Sequence, residues 1–322
     1  MKRLSLLATV LIVMAANGVR ACDALGRTAS SPSVTELSAA SQASSCAAEP
    51  IAEITVATLN NAPIVTLMAN GHPVVLLLDT GAERTVLTPI VAERIGAQPP
   101  RIEFQRQMRG IVGTLPTREV ELSSFNAGNV PINWRRIAVA PITGPNVFST
   151  PLDGILGADV LSDFDLDIDL PHHRLGLYQK GVCTSGPPWA SPYITIATGR
   201  SRDEHLFFPV ELDHHAIVAI VDSGAQRSLV SEATAHRVGV TDRSLSQDPP
   251  ITTQAATGTA VNSHVHRFSE LKVGAEIMGG PELVVGAANL RDCDIVLGID
   301  FLKSRRIWLS YESLRIFLPN TR

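Results

Sequence analysis

The sequence predicts a mostly β protein made of two similar halves. From Ile51 onward, short apolar runs alternate with turn residues, a pattern typical of many short strands. Segments with a helical period of 3.6 residues are scarce. The segment that begins at Pro73 also recurs, with closely matching residue types, from Ala216. Such self-similarity indicates two copies of one structural unit.

The repeat centres on an Asp-Thr/Ser-Gly-Ala motif. Asp79-Thr-Gly-Ala in the first half corresponds to Asp222-Ser-Gly-Ala in the second, 143 positions later. A second motif follows in each half: the segment 153–161 matches the segment 294–302. A lone Asp-Thr-Gly is weak evidence, since common residues produce one by chance in about one such chain in several. Two copies, each followed by the same second motif, are strong evidence for a duplicated site.

Each aspartate follows an apolar run of strand length. Val74–Leu78 and Ile217–Val221 are continuous and apolar, which predicts strands buried on both faces. A carboxylate at the end of a buried strand is in an unfavourable place unless it is hydrogen-bonded. Two such carboxylates therefore require an explanation beyond turn chemistry.

A short helix is predicted after each Asp motif. In the first half Thr88 is placed to cap it, Pro89 takes its first position and Gly96 ends it. In the second half Ser231 and Gly239 hold the equivalent positions.

Other acidic residues are predicted to be structural. Asp159 and Asp300 follow the Leu-Gly pairs and are expected to cap helix starts or loops. Acidic and apolar residues alternate between Asp163 and Leu170, which predicts a half-buried strand with a solvated acidic face.

The N-terminus has the pattern of an export signal. A basic start is followed by an apolar or small-residue run, Leu4–Ala16, and Val19-Arg-Ala21 offers a cleavage site. We therefore expect residues 1–21 to be a signal peptide and residues 22–50, rich in Ala and Ser, to be a flexible tether. A propeptide is the alternative for the second segment. Cys22 directly after the cleavage site also allows a lipoprotein signal, with Cys22 as a membrane tether.

The remaining chain divides into two predicted lobes, residues 51–181 and 192–322. Residues 182–191 are rich in Pro and Gly and predict the linker between them. Cys46, Cys183 and Cys293 could form a disulfide in an exported protein, but their spacing leaves the connectivity open.

At the two Asp motifs and their partner motifs the sequence resembles the pepsin and retropepsin aspartic peptidases. The resemblance covers nearly everything after residue 50. It implies the acid protease fold: two closed β-barrel-like lobes related by a pseudo-twofold axis, with few short helices. It also implies that Asp79 and Asp222 are the catalytic pair and hold one water between them, without any metal or cofactor.

The resemblance assigns supporting roles around that pair. The hydroxyls of Thr80 and Ser223 are expected to hydrogen-bond across the lobe junction, and Gly81 and Gly224 to allow close approach to the carboxylates. The second motif is expected to pack beneath the pair, through the segments Ile155, Leu156, Gly157 and Val296, Leu297, Gly298. The candidate flap over the cleft is Gly110, Ile111, Val112 and Gly113.

Two features lie closer to retropepsins than to pepsins. The candidate flap has no Tyr, and the residue after each motif glycine is Ala82 or Ala225, where pepsins commonly carry a hydroxyl. A hydroxyl at that position can favour the charged carboxylate. Without it we expect the pair to titrate higher, with a weakly acidic to near-neutral optimum.

The sequence as a whole therefore predicts an exported aspartic endopeptidase, periplasmic or secreted. It is expected to act as a monomer on protein or peptide substrates bound as extended strands. A formal net charge of −4 gives no reason to expect a nucleic-acid partner. Two alternatives stay open: a non-catalytic peptide-binding protein that retains the fold, and a peptidase so narrow that it acts as a regulator.

Overall fold

A computed structural model describes residues 13–14, 46–102, 106–110, 114–142, 152–189, 192–254, 259–290 and 293–320. It shows a mostly β chain with two similar lobes, as the sequence predicts. Within these residues, none of the helices has the length and apolar character needed to cross a bilayer.

The first lobe is built on a sheet of eleven strands. In chain order these are β1 (Val13–Met14), β3 (Ala57–Leu59), β4 (Ala62–Ala69), β5 (His72–Leu78), β6 (Val86–Leu87), β7 (Arg106–Gly110), β8 (Thr114–Glu121), β9 (Phe125–Ala127), β10 (Val130–Pro131), β11 (Arg136–Val139) and β12 (Gly154–Leu156). The spatial order is β1-β7-β8-β11-β6-β12-β5-β4-β9-β10, with β3 paired to β4.

The second lobe repeats this arrangement with ten strands. They are β16 (Gly199–Arg200), β17 (Leu206–Leu212), β18 (His215–Val221), β19 (Leu229–Ser231), β20 (Pro250–Gln254), β21 (Ala260–Arg267), β22 (Glu270–Val273), β23 (Glu276–Gly279), β24 (Glu282–Gly286) and β25 (Ile295–Leu297). The spatial order is β20-β21-β24-β19-β25-β18-β17-β22-β23, with β16 paired to β17.

A third sheet of six strands joins the lobes. Its strands are β2 (Ala52–Thr55), β13 (Phe164–Asp169), β14 (Arg174–Gln179), β15 (Tyr193–Ala197), β26 (Arg306–Ser310) and β27 (Arg315–Pro319). β13 of the first half pairs antiparallel with β26 of the second, so the two lobes share one hydrogen-bonded sheet.

The helices are short and accompany the repeated motifs. They are α1 (Pro89–Arg94), α2 (Ala158–Leu161), α3 (Glu232–Arg237), α4 (Asp242–Leu245) and α5 (Ile299–Leu302), with a 3-10 turn at Leu170–His172. Thr88 stands at the cap position of α1 without a side-chain cap bond, whereas the Ser231 side chain accepts the amide of Thr234 in α3. Gly96 and Gly239 follow their helices with positive φ, as the sequence predicts.

The prediction of closed barrels is wrong for this structure. Each large sheet has two separate edges: β1 and β10 are the outermost strands of the first sheet, and β20 and β23 are those of the second. Among the described residues these edges do not pair with each other. Neither sheet therefore closes on itself within the described residues.

The prediction of a solvated acidic face on β13 is also wrong. Asp165 and Asp167 are fully buried. The Asp167 carboxylate accepts from Arg306 Nε at 2.8 Å and from Arg174 Nη2 at 3.0 Å, and Asp165 accepts the amide of Tyr311. Because the second lobe supplies Arg306 and Tyr311, the face that the sequence leaves open is covered by the other half of the chain.

A disulfide joins Cys46 to Cys183. Cys46 lies in the segment that the sequence assigns to a flexible tether, and Cys183 lies in the predicted interlobe linker. The end of the tether is therefore covalently attached to the linker. Apart from Val13–Met14 and residues 46–50, the predicted signal peptide and tether, including Cys22, fall outside the described residues.

Candidate active site

The two aspartates lie at the ends of equivalent strands, at the lobe junction. Asp79 follows β5, and its amide donates to the Leu156 carbonyl at 3.1 Å. Asp222 follows β18, and its amide donates to the Leu297 carbonyl at 3.0 Å. Both side chains are fully buried. The strand that carries the second motif thus runs parallel beside each Asp strand and holds its end.

Four hydrogen bonds cross between the two Asp loops. The Thr80 hydroxyl donates to the Val221 carbonyl at 2.9 Å, and the Ser223 hydroxyl donates to the Leu78 carbonyl at 2.7 Å. Each hydroxyl oxygen also accepts the backbone amide of the other residue, at 3.1 and 3.0 Å. All four groups are buried, so these bonds fix the position of one loop relative to the other.

Each motif glycine lies against the carboxyl group of the opposite half. A Cβ added to Gly81 would lie 2.2 Å from Asp222 Cγ, and one added to Gly224 would lie 2.3 Å from Asp79 Cγ. Real side chains do not approach so closely. Glycine is therefore required at both positions, and the two carboxyl groups are brought together between the two loops.

The hydrogen bonds of each carboxyl group are one-sided. Asp79 Oδ1 accepts the Gly81 amide at 3.1 Å, and Asp222 Oδ1 accepts the amides of Gly224 and Ala225 at 2.8 and 3.1 Å. The Oδ2 atoms of both aspartates are buried and have no hydrogen-bond partner outside the pair among the described residues. One oxygen of each carboxyl group is thus held by backbone, and the other remains available for chemistry.

Burial changes the acidity of the pair. Desolvation, followed by the negative charge of Asp222, holds the pKa of Asp79 well above its usual value. Desolvation raises the pKa of Asp222 to about 6, although hydrogen bonds to its carboxylate act in the opposite direction. Two coupled carboxyls with raised pKa values retain a shared proton at weakly acidic pH.

The second motif supports the loops from below. The amide of Gly157 donates to the Thr85 hydroxyl, and that of Gly298 donates to the Ser228 hydroxyl, both at 3.0 Å. A Cβ at Gly157 would lie 2.5 Å from the carbonyl carbon of Arg84. The flanking apolar residues Ile155, Leu156, Val296 and Leu297 are all buried in the core.

Asp159 and Asp300 act on these same loops. Asp159 Oδ1 accepts both the amide and the hydroxyl of Thr85 at 2.7 Å, and Asp300 Oδ1 accepts those of Ser228 at 2.8 and 2.7 Å. Each also accepts the amide of the next residue, within its own short helix. This loop-capping role agrees with the prediction from the sequence. The loop that each of them caps is the one that follows the catalytic aspartate of its half.

An ion pair beneath each lobe was not predicted. Asp153 accepts the Val75 amide at 2.8 Å and pairs with Arg94 at 3.0 Å. Its counterpart Asp294 pairs with Arg237 at 2.6 Å. All four charged residues lie within the repeated segments, so their recurrence could have identified the pairs.

His205 is a buried group that sequence reasoning missed. It stands immediately before β17, and its Nε2 atom has no hydrogen-bond partner among the described residues. Burial lowers the pKa of His205 to about 4, against a weaker raising effect from the backbone of Gly81. The strand registers place Ala62 at the equivalent position of the first lobe, so the two sides of the site are not identical.

The candidate flap is described only in part. β7 and β8 form an antiparallel hairpin in which Arg109 pairs with Thr114. Ile111, Val112 and Gly113, which form its predicted tip, lie outside the described residues, and only the backbone of Gly110 is described. An equivalent hairpin, β20–β21, pairs Gln254 with Ala260 in the second lobe.

Two family models match the chain, one in each half. The model described as aspartyl protease matches residues 65–160, and the model described as gag-polyprotein aspartyl protease matches residues 208–304. Each match contains one of the two aspartates together with the second motif of its half. None of the curated proteins compared with the chain matches it.

Proposed function

Because both halves of this chain belong to the retropepsin-like aspartyl proteases, we propose that it is an aspartic endopeptidase with one site shared by Asp79 and Asp222. One observation carries the proposal. Each buried carboxyl group lies against the motif glycine of the opposite half, so neither half alone has a complete pair. A peptide-binding protein without activity has no evident use for two carboxyls held in this unfavourable environment.

The proposed reaction uses a water molecule between the two Oδ2 atoms. The ionised carboxylate takes a proton from this water as the water oxygen attacks the carbonyl carbon of the scissile bond. The protonated carboxyl donates its proton to the carbonyl oxygen, which gives a neutral gem-diol. On collapse the C–N bond breaks, the protonated carboxyl gives its proton to the leaving nitrogen, and the other carboxylate takes a proton from a gem-diol hydroxyl, so the pair is again singly protonated. The enzyme forms no covalent bond to the substrate.

The surrounding residues have distinct roles in this scheme. Backbone amides hold one oxygen of each aspartate, which orients the other oxygen toward the water. The cross-lobe bonds of Thr80 and Ser223 keep the two carboxyls at a constant separation. The hairpin tip at 110–113 would close over an extended substrate, whose backbone can pair as an added strand.

We further propose that the enzyme acts outside the cytoplasm as a monomer. Residues 1–21 would direct export, and the Cys46–Cys183 disulfide is compatible with an oxidising compartment. Cys22 would determine whether the chain is soluble or lipid-anchored. Replacing Cys22 by Ser and measuring detergent-phase partitioning separates these forms, since only a lipidated chain loses membrane association on this change.

The decisive experiment is a peptide-cleavage assay over a pH series, with the full chain and its Asp79→Asn and Asp222→Asn variants. We expect cleavage with a weakly acidic to near-neutral optimum, and loss of cleavage in each single variant. Equal cleavage by all three proteins would exclude this pair as the catalyst. Peptide binding without cleavage by the wild type would favour the non-catalytic alternative. A rate maximum near pH 2 would contradict the raised pKa values.

A further inference from the structure

Two arginines occupy matched positions beside the catalytic pair. Arg84 and Arg227 each follow the aspartate of their half by five residues. Each also contacts the glycine of the second motif: a Cβ at Gly157 would lie 2.5 Å from the Arg84 carbonyl carbon, and one at Gly298 would lie 2.8 Å from that of Arg227. The internal repeat therefore places one arginine in the loop that follows each catalytic aspartate, with its backbone against the second-motif glycine of the same half.

The first of these charges is neutralised within the protein. Arg84 Nη2 lies 2.8 Å from Glu119 Oε1, and the two side chains are 17% and 5% exposed. Glu119 belongs to β8, the strand that leads away from the candidate flap tip. Arg84 thus lies between its catalytic loop and the flap hairpin, with its counter-ion already in place.

The second charge has no such counter-ion. In the first lobe, Ala138 pairs with Val86 on one side and with Glu119 on the other. Leu229 is the repeat counterpart of Val86. It pairs with Val284, whose other neighbour is Val265. Val265 therefore takes the place of Glu119. Arg227 is half-buried and has no acidic or other hydrogen-bonding partner within the part of the chain that the structure describes.

Strand β21, which runs where β8 carries Glu119 in the first lobe, does not supply a counter-ion for Arg227 either. The hairpin strand β21 carries His264, His266 and Arg267 but no acidic residue, and His266 is occupied by Asp248 at 2.6 Å. The adjacent Gln226 donates to the Asn60 carbonyl of the first lobe at 3.0 Å. This contact places the loop at the junction of the lobes, where a substrate strand would cross.

We propose that Arg227 forms a subsite for an acidic side chain of the substrate, on the second-lobe side of the cleft only. The proposal rests on the proposed function and specifies its substrate class. A guanidinium binds a carboxylate through two parallel hydrogen bonds, which are stronger than neutral ones and are directional. Arg84 offers no equivalent subsite because Glu119 already binds it, so the preference is confined to one side of the scissile bond.

The test compares two matched sets of fluorogenic octapeptides. Each pair differs only in Glu or Gln at one position, and the position is moved through the peptide. We expect kcat/KM to be about tenfold higher for Glu at one position, a ratio that corresponds to about 1.4 kcal/mol. The ratio should fall on raising the ionic strength, because the pair is partly exposed and is screened by salt.

Three variants of the full chain locate the effect. Arg227→Gln should bring the Glu/Gln ratio close to one. Glu119→Gln releases Arg84 and should create a second Glu preference on the other side of the scissile bond. Arg243→Gln makes the same charge change at an exposed residue of α4 in the same lobe and should leave the ratio at its wild-type value. Thermal unfolding of each variant shows whether it is folded.

The inference is overturned if the wild type shows no Glu preference at any position, or if that preference survives in Arg227→Gln. If the wild type cleaves no peptide, the proposed function fails, and binding of the same peptides by fluorescence anisotropy tests the subsite instead. Tighter binding of Glu peptides that Arg227→Gln abolishes supports the subsite, and equal binding of Glu and Gln peptides refutes it.

Discussion

Replacing Asp222 by Asn should remove activity and at the same time stabilise the fold at neutral pH. The Asn side chain keeps an oxygen that can accept the amides of Gly224 and Ala225, so the loop geometry can persist. It loses only the ionisable group. Because the pKa of Asp222 rises from 3.8 to about 6 on folding, ionisation at pH 7 disfavours the native state.

The magnitude follows from the linkage between proton binding and folding. A group whose pKa is raised on folding contributes stability that is fully present below its unfolded pKa. That contribution is lost as the pH rises through the folded pKa. For a rise from 3.8 to about 6, the free energy of unfolding falls by about 3 kcal/mol at pH 7, and by less than about 1 kcal/mol at pH 4. Asp222→Asn recovers this difference.

Thermal unfolding at pH 7 and pH 4 measures the effect. In a protein of 322 residues, about 3 kcal/mol corresponds to a Tm increase of about 4–5 °C at pH 7, and the increase should nearly vanish at pH 4. His205 has the opposite sign: its pKa of about 4 means that stability falls as the pH drops below 6.5. The contribution of His205 is the same in the wild type and in Asp222→Asn, so it cancels in the difference between their Tm values. Equal Tm values at pH 7, or an increase that persists at pH 4, would refute the reasoning.

Three further changes test other parts of the structure. Gly224→Ala places a Cβ 2.3 Å from Asp79 Cγ and should abolish cleavage, whereas Gly279→Ala, with no atom within 4 Å of its Cβ, should leave kcat/KM within a factor of two; an active Gly224→Ala enzyme would contradict the close approach. Thr80→Val removes two buried cross-lobe hydrogen bonds and should lower the free energy of unfolding by about 2–4 kcal/mol, while Thr80→Ser should restore most of it in denaturant titrations. Cys46→Ser opens a covalent loop of 137 residues and should destabilise the chain by up to about 5 kcal/mol, an effect that reducing agent should reproduce in the wild type but not in the variant.

Much of the site could be predicted because it is encoded locally and twice. The apolar runs before Asp79 and Asp222 specify buried strands, and the Thr-Gly or Ser-Gly that follows each aspartate specifies a tight loop. Strand ends and turns depend on residues that are close in the sequence, so they can be predicted from the sequence alone. The duplication then indicates that two such loops belong to one fold and meet at one site.

The open edges of the two large sheets could not be predicted from the same signals. Alternating apolar runs and turns indicate strands, but they do not state which strands pair at the ends of a sheet. Those pairings join segments that are far apart in the chain, and their geometry depends on the curvature of the whole lobe. The resemblance to a fold with closed lobes was therefore correct for two similar, mostly β lobes and wrong for closure.

The same limit applies to the charged residues. The alternation in β13 predicts its strand correctly, but only the second lobe decides that Asp167 is buried against Arg306 and not solvated. Likewise, Arg84 and Arg227 are equivalent in the sequence, and only the register of the flap strands gives one of them Glu119 as a partner. The sequence by itself determined which residues form the duplicated strands, loops and aspartates, because those depend on near neighbours. The tertiary structure alone decided which polar groups are paired, because each partner is brought by a distant segment and burial removes the water that would otherwise take its place.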